Sequence, residues 1–228
     1  MIKIYSTFSE DITYKNNNLV KKSLRGPAFY IKNVLEKNNI DYKLFKGQNY
    51  QVKIKILDND EIGEIVSKNI PQQKIQDLDK GDNILISTIA DEWLLSNDIP
   101  KSTKIFLDAQ GYLRIFSKND DFYKQNFWNN IYCLKGTEDE INNLPENIIE
   151  QQKQKLLIIS KNKDGCSVFH QSKQYDFSIK PVKVEDTIGA GDTFLTNFFI
   201  KYLETTNIKK STKFAITETS KFLSAKEA

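Results

Sequence analysis

Three short apolar runs constrain this chain more than anything else in it: Asn83–Ser87 (NILIS), Lys104–Asp108 (KIFLD) and Lys155–Ser160 (KLLIIS). Each is too short for a buried helix and lacks apolar–polar alternation. Strands buried on both faces read this way, and such strands belong to parallel sheets covered by helices. The intervening segments supply the helices. Pro27–Lys37 (PAFYIKNVLEK) has Phe29, Ile31, Val34 and Leu35 at helical spacing, with a proline just inside its start. Phe194–Glu204 is apolar nearly all round and therefore reads as buried, and Phe214–Leu223 forms a last helix. Met1–Tyr5, Tyr42–Phe45 and Asn130–Leu134 read as further strands, Glu92–Ser96 as a short helix, and Ser167–Phe169 with Tyr175–Val184 as an antiparallel pair. Val52–Leu57 and Ile62–Val66 flank DNDE as a hairpin, which predicts a small sheet standing off the main layer before residue 70. The fold class is α/β with a largely parallel sheet. No linker rich in Pro, Gly or Ser and no repeat divides residues 1–228, so they read as a single domain.

Charge excludes several classes of partner. Lys+Arg number 33 against 30 Asp+Glu, and the only arginines are Arg25 and Arg114. Lysines scattered among acids make a solvated surface, not the arginine-bearing basic stripe of a nucleic-acid binder. Cys133 and Cys166 form neither a disulfide framework nor a zinc spacing and suit reduced thiols in a cytoplasmic protein. No stretch reaches about eighteen apolar residues, so no membrane span is expected, and no signal-like segment opens the chain. His170 is the only histidine, which removes histidine-based metal sites and Ser-His-Asp triads.

The chain holds just nine glycines, and two of them, Gly189 and Gly191, lie directly before the most apolar helix. Small residues there let the backbone approach a ligand, and the first helical N–H groups point at it, an arrangement that holds an anion. The segment is not a P-loop, because no Gly-Lys-Ser/Thr follows, and Phe194 stands where a dinucleotide fingerprint has its third glycine. Asp192 sets it apart. Aspartate there reads either as a plain helix N-cap or as a base that accepts the proton of an attacking hydroxyl while backbone amides stabilise the transferring phosphoryl group. An alcohol is too weak an acid for aspartate to ionise beforehand, so in the second case the proton moves late and the role is largely positioning.

Asp186-Thr-Ile-Gly-Ala-Gly-Asp-Thr-Phe194 resembles the signature D-T-x-x-A/G-G-D-x-F of the PfkB/ribokinase family of carbohydrate kinases. The resemblance implies a ribokinase-like three-layer αβα sandwich with a mainly parallel central sheet and a small, reduced β lid from residues 12–22 and 48–70. It implies an anion hole from Gly189, Ala190, Gly191 and the Asp192 amide, with Asp192 as catalytic base. Asp186 and Thr187 would shape the phosphate end and, in many members, a neighbouring monovalent-cation (K+) site. Lys135–Glu140 is similar to the segment ending in N-x-x-E, which puts Glu140 on the glutamate that orders Mg2+ through water, with Thr137 in place of the asparagine. Leu157–Gly165 resembles V-T-x-G-x-x-G bordering ATP; Ser160 stands for the threonine, Asn162 for the first glycine, and Gly165 is kept. Asparagine tolerates a left-handed backbone, so the turn is expected to survive.

On the acceptor side, Asp108–Arg114 resembles D-x-N/Q-x-x-R, where Arg114 offers a planar donor fork; the alternative is a local Asp108–Arg114 ion pair. Arg25-Gly26-Pro-Ala-Phe-Tyr30 resembles G-G-x-x-x-N/Y, with Arg25 replacing the first glycine. Asp11, five residues after Ser6, matches the aspartate that grips sugar hydroxyls. The implied activity is ATP-dependent phosphorylation of a hydroxyl on a small sugar, polyol or nucleoside. Two alternatives stand beside it: a weak or inactive relative that binds nucleotide or sugar and regulates a partner, motivated by Arg25, Thr137 and Asn162, and a kinase for a vitamin hydroxymethyl group. The chain is short for the family, which predicts a small lid completed by a second subunit in a homodimer, or a more open site.

Overall fold

The computed structural model describes residues 1–226 except 17, 58–59, 76–77, 95–98, 101, 118–119, 181, 183 and 185. The unbroken apolar runs become the centre of an eight-stranded sheet. Its parallel strands are β1 (Ile2–Ser6), β4 (Lys43–Lys46), β8 (Asn83–Ser87), β10 (Lys104–Asp108), β11 (Ile131–Thr137) and β12 (Leu156–Ser160). The antiparallel strands β13 (Cys166–His170) and β14 (Lys173–Phe177) extend it at one edge, giving the order β14-β13-β12-β11-β10-β8-β1-β4.

Side chains alternate across this sheet, and both faces are buried. Ile84, Ile86, Ile105 and Leu107 pack on one side with Tyr112, Phe122, Trp128 and Ile148. Those residues come from α2 (Gln110–Leu113), two 3-10 turns and α4 (Glu146–Gln154), with α3 (Glu138–Asn142) alongside. Ile4, Leu85, Phe106 and Ile158 face the other way, against α1 (Pro27–Lys37), α5 (Ala190–Thr205) and α6 (Ile208–Ser224) through Ile31, Leu35, Phe198, Phe199 and Ala215. The result is the expected ribokinase-like layering of helices on both faces of a mainly parallel sheet.

The expected small sheet is present, with four strands in the order β3-β2-β5-β6: β2 (Ser9–Lys15), β3 (Asn18–Arg25), β5 (Tyr50–Leu57) and β6 (Asp60–Ile65). The expected short helix over Glu92–Ser96 is corrected. Trp93–Leu94 (β9) pairs in parallel with Gln73–Lys74 (β7), and 95–96 lie outside the described residues. The strand expected over Tyr175–Val184 ends at Phe177. No helix among the described residues is long and apolar enough to cross a membrane.

Candidate active site

Five neighbouring parallel strands end on one rim, where open α/β sheets bind ligands. β1 ends in Ser6, β8 in Ser87, β10 in Asp108, β11 in Thr137 and β12 in Ser160. Onto this rim α5 points its N-terminus, with the positive end of its dipole. Ser6 Oγ donates to the Ser87 carbonyl at 2.7 Å, and Ser87 Oγ donates to Asp192 Oδ1 at 2.7 Å.

Asp192 is therefore not a plain N-cap. The N-cap of α5 is Gly189, in the left-handed region at φ 82°, and Asp192 sits three residues inside with its carboxylate turned to the sheet. A Cβ on Gly189 would lie 2.4 Å from the Tyr30 ring, so both backbone conformation and contact demand glycine there. The Ala190 amide donates to Thr187 O at 3.0 Å and the Thr193 amide to Gly189 O at 2.9 Å. The amides of Gly191 and Asp192, between them, make no hydrogen bond among the described residues. Of the four amides expected to form an anion hole, that of Ala190 is engaged and those of Gly189, Gly191 and Asp192 are open among the described residues.

A residue to which the sequence reading gave no role, Lys135, completes this corner. It is a buried lysine whose Nζ donates to Asp108 Oδ2 at 2.7 Å. A Cβ on Gly191 would stand 2.7 Å from that Nζ, so glycine is what lets the ammonium lie against the loop. Burial works against its charge, but the carboxylates of Asp108, Glu140 and Asp192 together outweigh burial and hold Lys135 above the usual lysine range. Burial first, and Asp108 second, push the Asp192 carboxyl up to about 6; Ser87, Lys135 and Arg114 oppose the shift. The local Asp108–Arg114 pair is not formed. Arg114 instead donates to Ile89 O at 2.9 Å, and Asp108 Oδ1 accepts from the Gln110 amide at 3.1 Å.

A second group gathers around Arg25. Its Nη1 donates to Asp186 Oδ2 at 2.9 Å, and Lys226 Nζ donates to Asp186 Oδ1 at 2.8 Å. Burial pushes the Asp186 carboxyl up, but these two cations outweigh it and hold it below the usual carboxylate range. Asp11 is buried, accepts from Ser9 Oγ, and is raised by that burial, with Arg25 pulling the other way and Asp186 adding to the rise. The Tyr30 hydroxyl is buried without a hydrogen-bond partner among the described residues. Gly26 is the N-cap of α1. The motif reading thus brings Asp11, Arg25 and Asp186 together, and Tyr30 joins them.

The remaining positions stand farther along the rim. Ser160 Oγ donates to Gly136 O at 3.3 Å, Asn162 has the left-handed φ of 49° expected of it, and Gly165 has φ 101° with Phe177 O against it. This turn follows β12, three strand spacings or about 14 Å from β8. Thr137 and Glu140 form a capping box on α3: the Thr137 amide donates to Glu140 Oε2 at 2.8 Å, and the Glu140 amide donates to Thr137 Oγ1 at 3.3 Å. Among the described residues, no three or more His, Cys, Asp or Glu side chains converge as a metal cage. A single carboxylate with one oxygen engaged suits only a magnesium that keeps its waters and is carried by phosphates.

The sequence signal for Lys135 was a charge inside the apolar run YCLKG. For Ser87 it was a place at the end of a buried strand. Lys226 left no signal, because its partners lie 38 to 40 positions away.

Known proteins share this fold. The inositol 3-kinase of Arabidopsis thaliana is 20% identical over 243 residues, covering 89% of this chain and 68% of that protein. A solved pyrophosphate-dependent kinase of the ribokinase family, complexed with a pyrophosphate analog and myo-inositol, superposes with a TM-score of 0.69 at 16% identity, covering 96% of this chain and 94% of that one. A fructokinase from Vibrio cholerae, in a form with fructose, ADP and calcium ion bound, superposes with a TM-score of 0.66 at 15% identity over 96% of this chain and 92% of its own. These structures establish the shared fold. The pfkB family carbohydrate kinase model matches residues 31–220, most of the chain, and the chain belongs to that family.

Proposed function

We propose that the chain transfers the terminal phosphoryl group of ATP to a hydroxyl of a small polyol or sugar, with Asp192 as the base. One observation carries this reading. Asp192 is fixed by Ser87 at 2.7 Å beside two open amides and the Lys135 ammonium. The carboxylate takes the acceptor proton as the new P–O bond forms. The Gly191 and Asp192 amides and Lys135 stabilise charge on the transferring group. Magnesium, when bound with the donor, spreads charge over its phosphates, and Glu140 is the residue that would hold one of its waters. Ser160, Asn162 and Gly165 border the far end of the donor.

Asp11, Arg25 and the unpartnered Tyr30 hydroxyl offer an acceptor wall of hydrogen-bonding groups suited to several adjacent hydroxyls. The inositol kinase likeness makes a cyclic polyol the leading acceptor class. A coupled product-release screen over polyols, sugars, nucleosides and vitamin hydroxymethyl compounds, with ATP and with pyrophosphate as donors, is expected to give turnover with a polyol. Turnover confined to nucleosides or vitamins would sink the acceptor assignment, and turnover confined to pyrophosphate would sink the donor.

A second reading is a relative that binds these ligands without turning them over. It is favoured by Arg25, locked to Asp186, and by Glu140, engaged in its own helix cap. Ligand-induced melting shifts without turnover would establish it.

In the kinase reading the four-stranded sheet is the lid. Its edge strand β3 exposes Leu19, Val20 and Leu24. These apolar side chains, on either side of Lys21 and Lys22, would give the edge its contact with a second copy. Sedimentation velocity is expected to show a dimer for the wild type and a monomer for Val20→Asp; a monomeric wild type rules the pairing out.

A further inference from the structure

Lys226 reaches back to the segment just ahead of the amide loop. Its Nζ meets three oxygens there: Asp186 Oδ1 at 2.8 Å, the Asp186 carbonyl at 3.2 Å and the Ile188 carbonyl at 2.6 Å. An ammonium carries three protons, so each oxygen can receive one. The same nitrogen stands 4.9 Å from the Phe222 ring centroid and 5.9 Å from that of Tyr30. The side chain is only 17% exposed. This is a built position, not a surface lysine resting on a carboxylate.

Two main-chain carbonyls and a carboxylate turned to one point are also the oxygen shell of a hard cation. The motif resemblance assigns a monovalent cation to the neighbourhood of Asp186 and Thr187. These residues do not fit one. The Asp186 carboxylate is already shared between the Lys226 ammonium and the Arg25 guanidinium, which lies at 2.9 Å. An added cation would face two fixed positive charges and find its oxygens taken.

We propose that the Lys226 ammonium takes the place of a monovalent cation, so that this protein works without K+ or Na+. The covalently held charge fixes the carbonyls of 186 and 188. The turn between them leads into Gly189, and the open amides of Gly191 and Asp192 follow directly. Lys226 is thus a positioning residue for the amide loop. Its effect on turnover rests on the reading of that loop as the phosphoryl site, whereas its effect on cation binding does not.

The test exchanges the purified full chain into tetramethylammonium chloride and titrates K+, Na+ and NH4+ at constant ionic strength. Melting temperature is followed without donor or acceptor, and turnover with them. The wild type is expected to be flat in both. Lys226→Ala is expected to lose turnover by about tenfold or more, as small misplacements of catalytic groups do, and to regain it with K+ or NH4+, with a melting temperature that now rises with the added cation. A wild type that needs or is stabilised by K+ overturns the proposal. So does a Lys226→Ala variant that matches the wild type without added cation, or one whose loss no cation restores. If the variant fails to fold, the wild-type titration still decides. An acceptor screen that fails beside a flat wild-type melting titration would sink the proposed function and leave this inference standing.

Discussion

Asp192→Asn is expected to lose turnover by about three orders of magnitude, the middle of the range for removing a positioned base, while its melting temperature rises. Asparagine keeps the shape and can still accept from Ser87 Oγ, so what is removed is the proton acceptor and the charge. The two readouts move in opposite directions for one reason. Burial, with Asp108 beside it, raises the Asp192 carboxyl from 3.8 to about 6 in the folded chain. The folded state therefore favours the protonated form, and stability falls as pH climbs through that window. At pH 7 the cost of holding this charge is on the order of 2–3 kcal/mol, and the asparagine variant escapes it. Wild-type turnover should climb as pH passes about 6, where the base becomes ionised. Initial rates and thermal melts of the two proteins check both statements. Undiminished turnover in the variant would remove Asp192 from the chemistry altogether.

Lys135→Ala is expected to be the most destabilising of the site substitutions. It leaves the Asp108 carboxylate buried with the Gln110 amide as its one hydrogen-bond donor among the described residues, and breaking a buried pair from one side costs about 3–5 kcal/mol. Adding Asp108→Asn to Lys135→Ala should recover part of the loss, because the stranded charge is then gone. The pair also brackets the base. Lys135 pulls the Asp192 carboxyl down and Asp108 pushes it up. Asp108→Asn alone should therefore move the acid limb of the pH–rate profile to lower pH, and Lys135→Ala should move it to higher pH. Shifts in the same direction, or none, would mean that neither charge tunes the base.

The elements that could be read from sequence were those whose environment leaves a local trace. NILIS and KIFLD carry no polar alternation because both faces of β8 and β10 are covered, and both strands have the bounds expected of them. α1 likewise runs from Pro27 to Lys37 as its spacing and its proline predict. β2 and β3 came into view only through the resemblance, which placed part of a β lid over 12–22; the pattern itself is silent there, because a sheet exposed on one side can carry the lysines of NLVKKSLR. α4 (ENIIEQQKQ) turns Ile148 and the polar Gln152 inward, so its buried face carries little apolar signal. α5 starts at Ala190, four residues before the expected Phe194, because its first turn is built from the residues that face the site.

The same division holds for the site. The DTIGAGD loop was legible because its chemistry lies in consecutive residues. Lys135, Ser87 and Lys226 acquire the roles proposed for them from distant chain segments brought together, which no local pattern records. Asp108 shows the difference most clearly. Its evident partner by spacing was Arg114, yet a lysine at the end of the next strand pairs with it.

The Lys226 contact also sets an order of events. Asp186 leaves the ribosome 40 residues ahead of the lysine that neutralises it. By then every strand of the central sheet has been made. The turn leading to the amide loop nevertheless lacks one of its two positive charges until α6 has been synthesised and laid against α5. In the kinase reading proposed above, the loop is therefore expected to become able to hold a phosphate only after the central strands are in place.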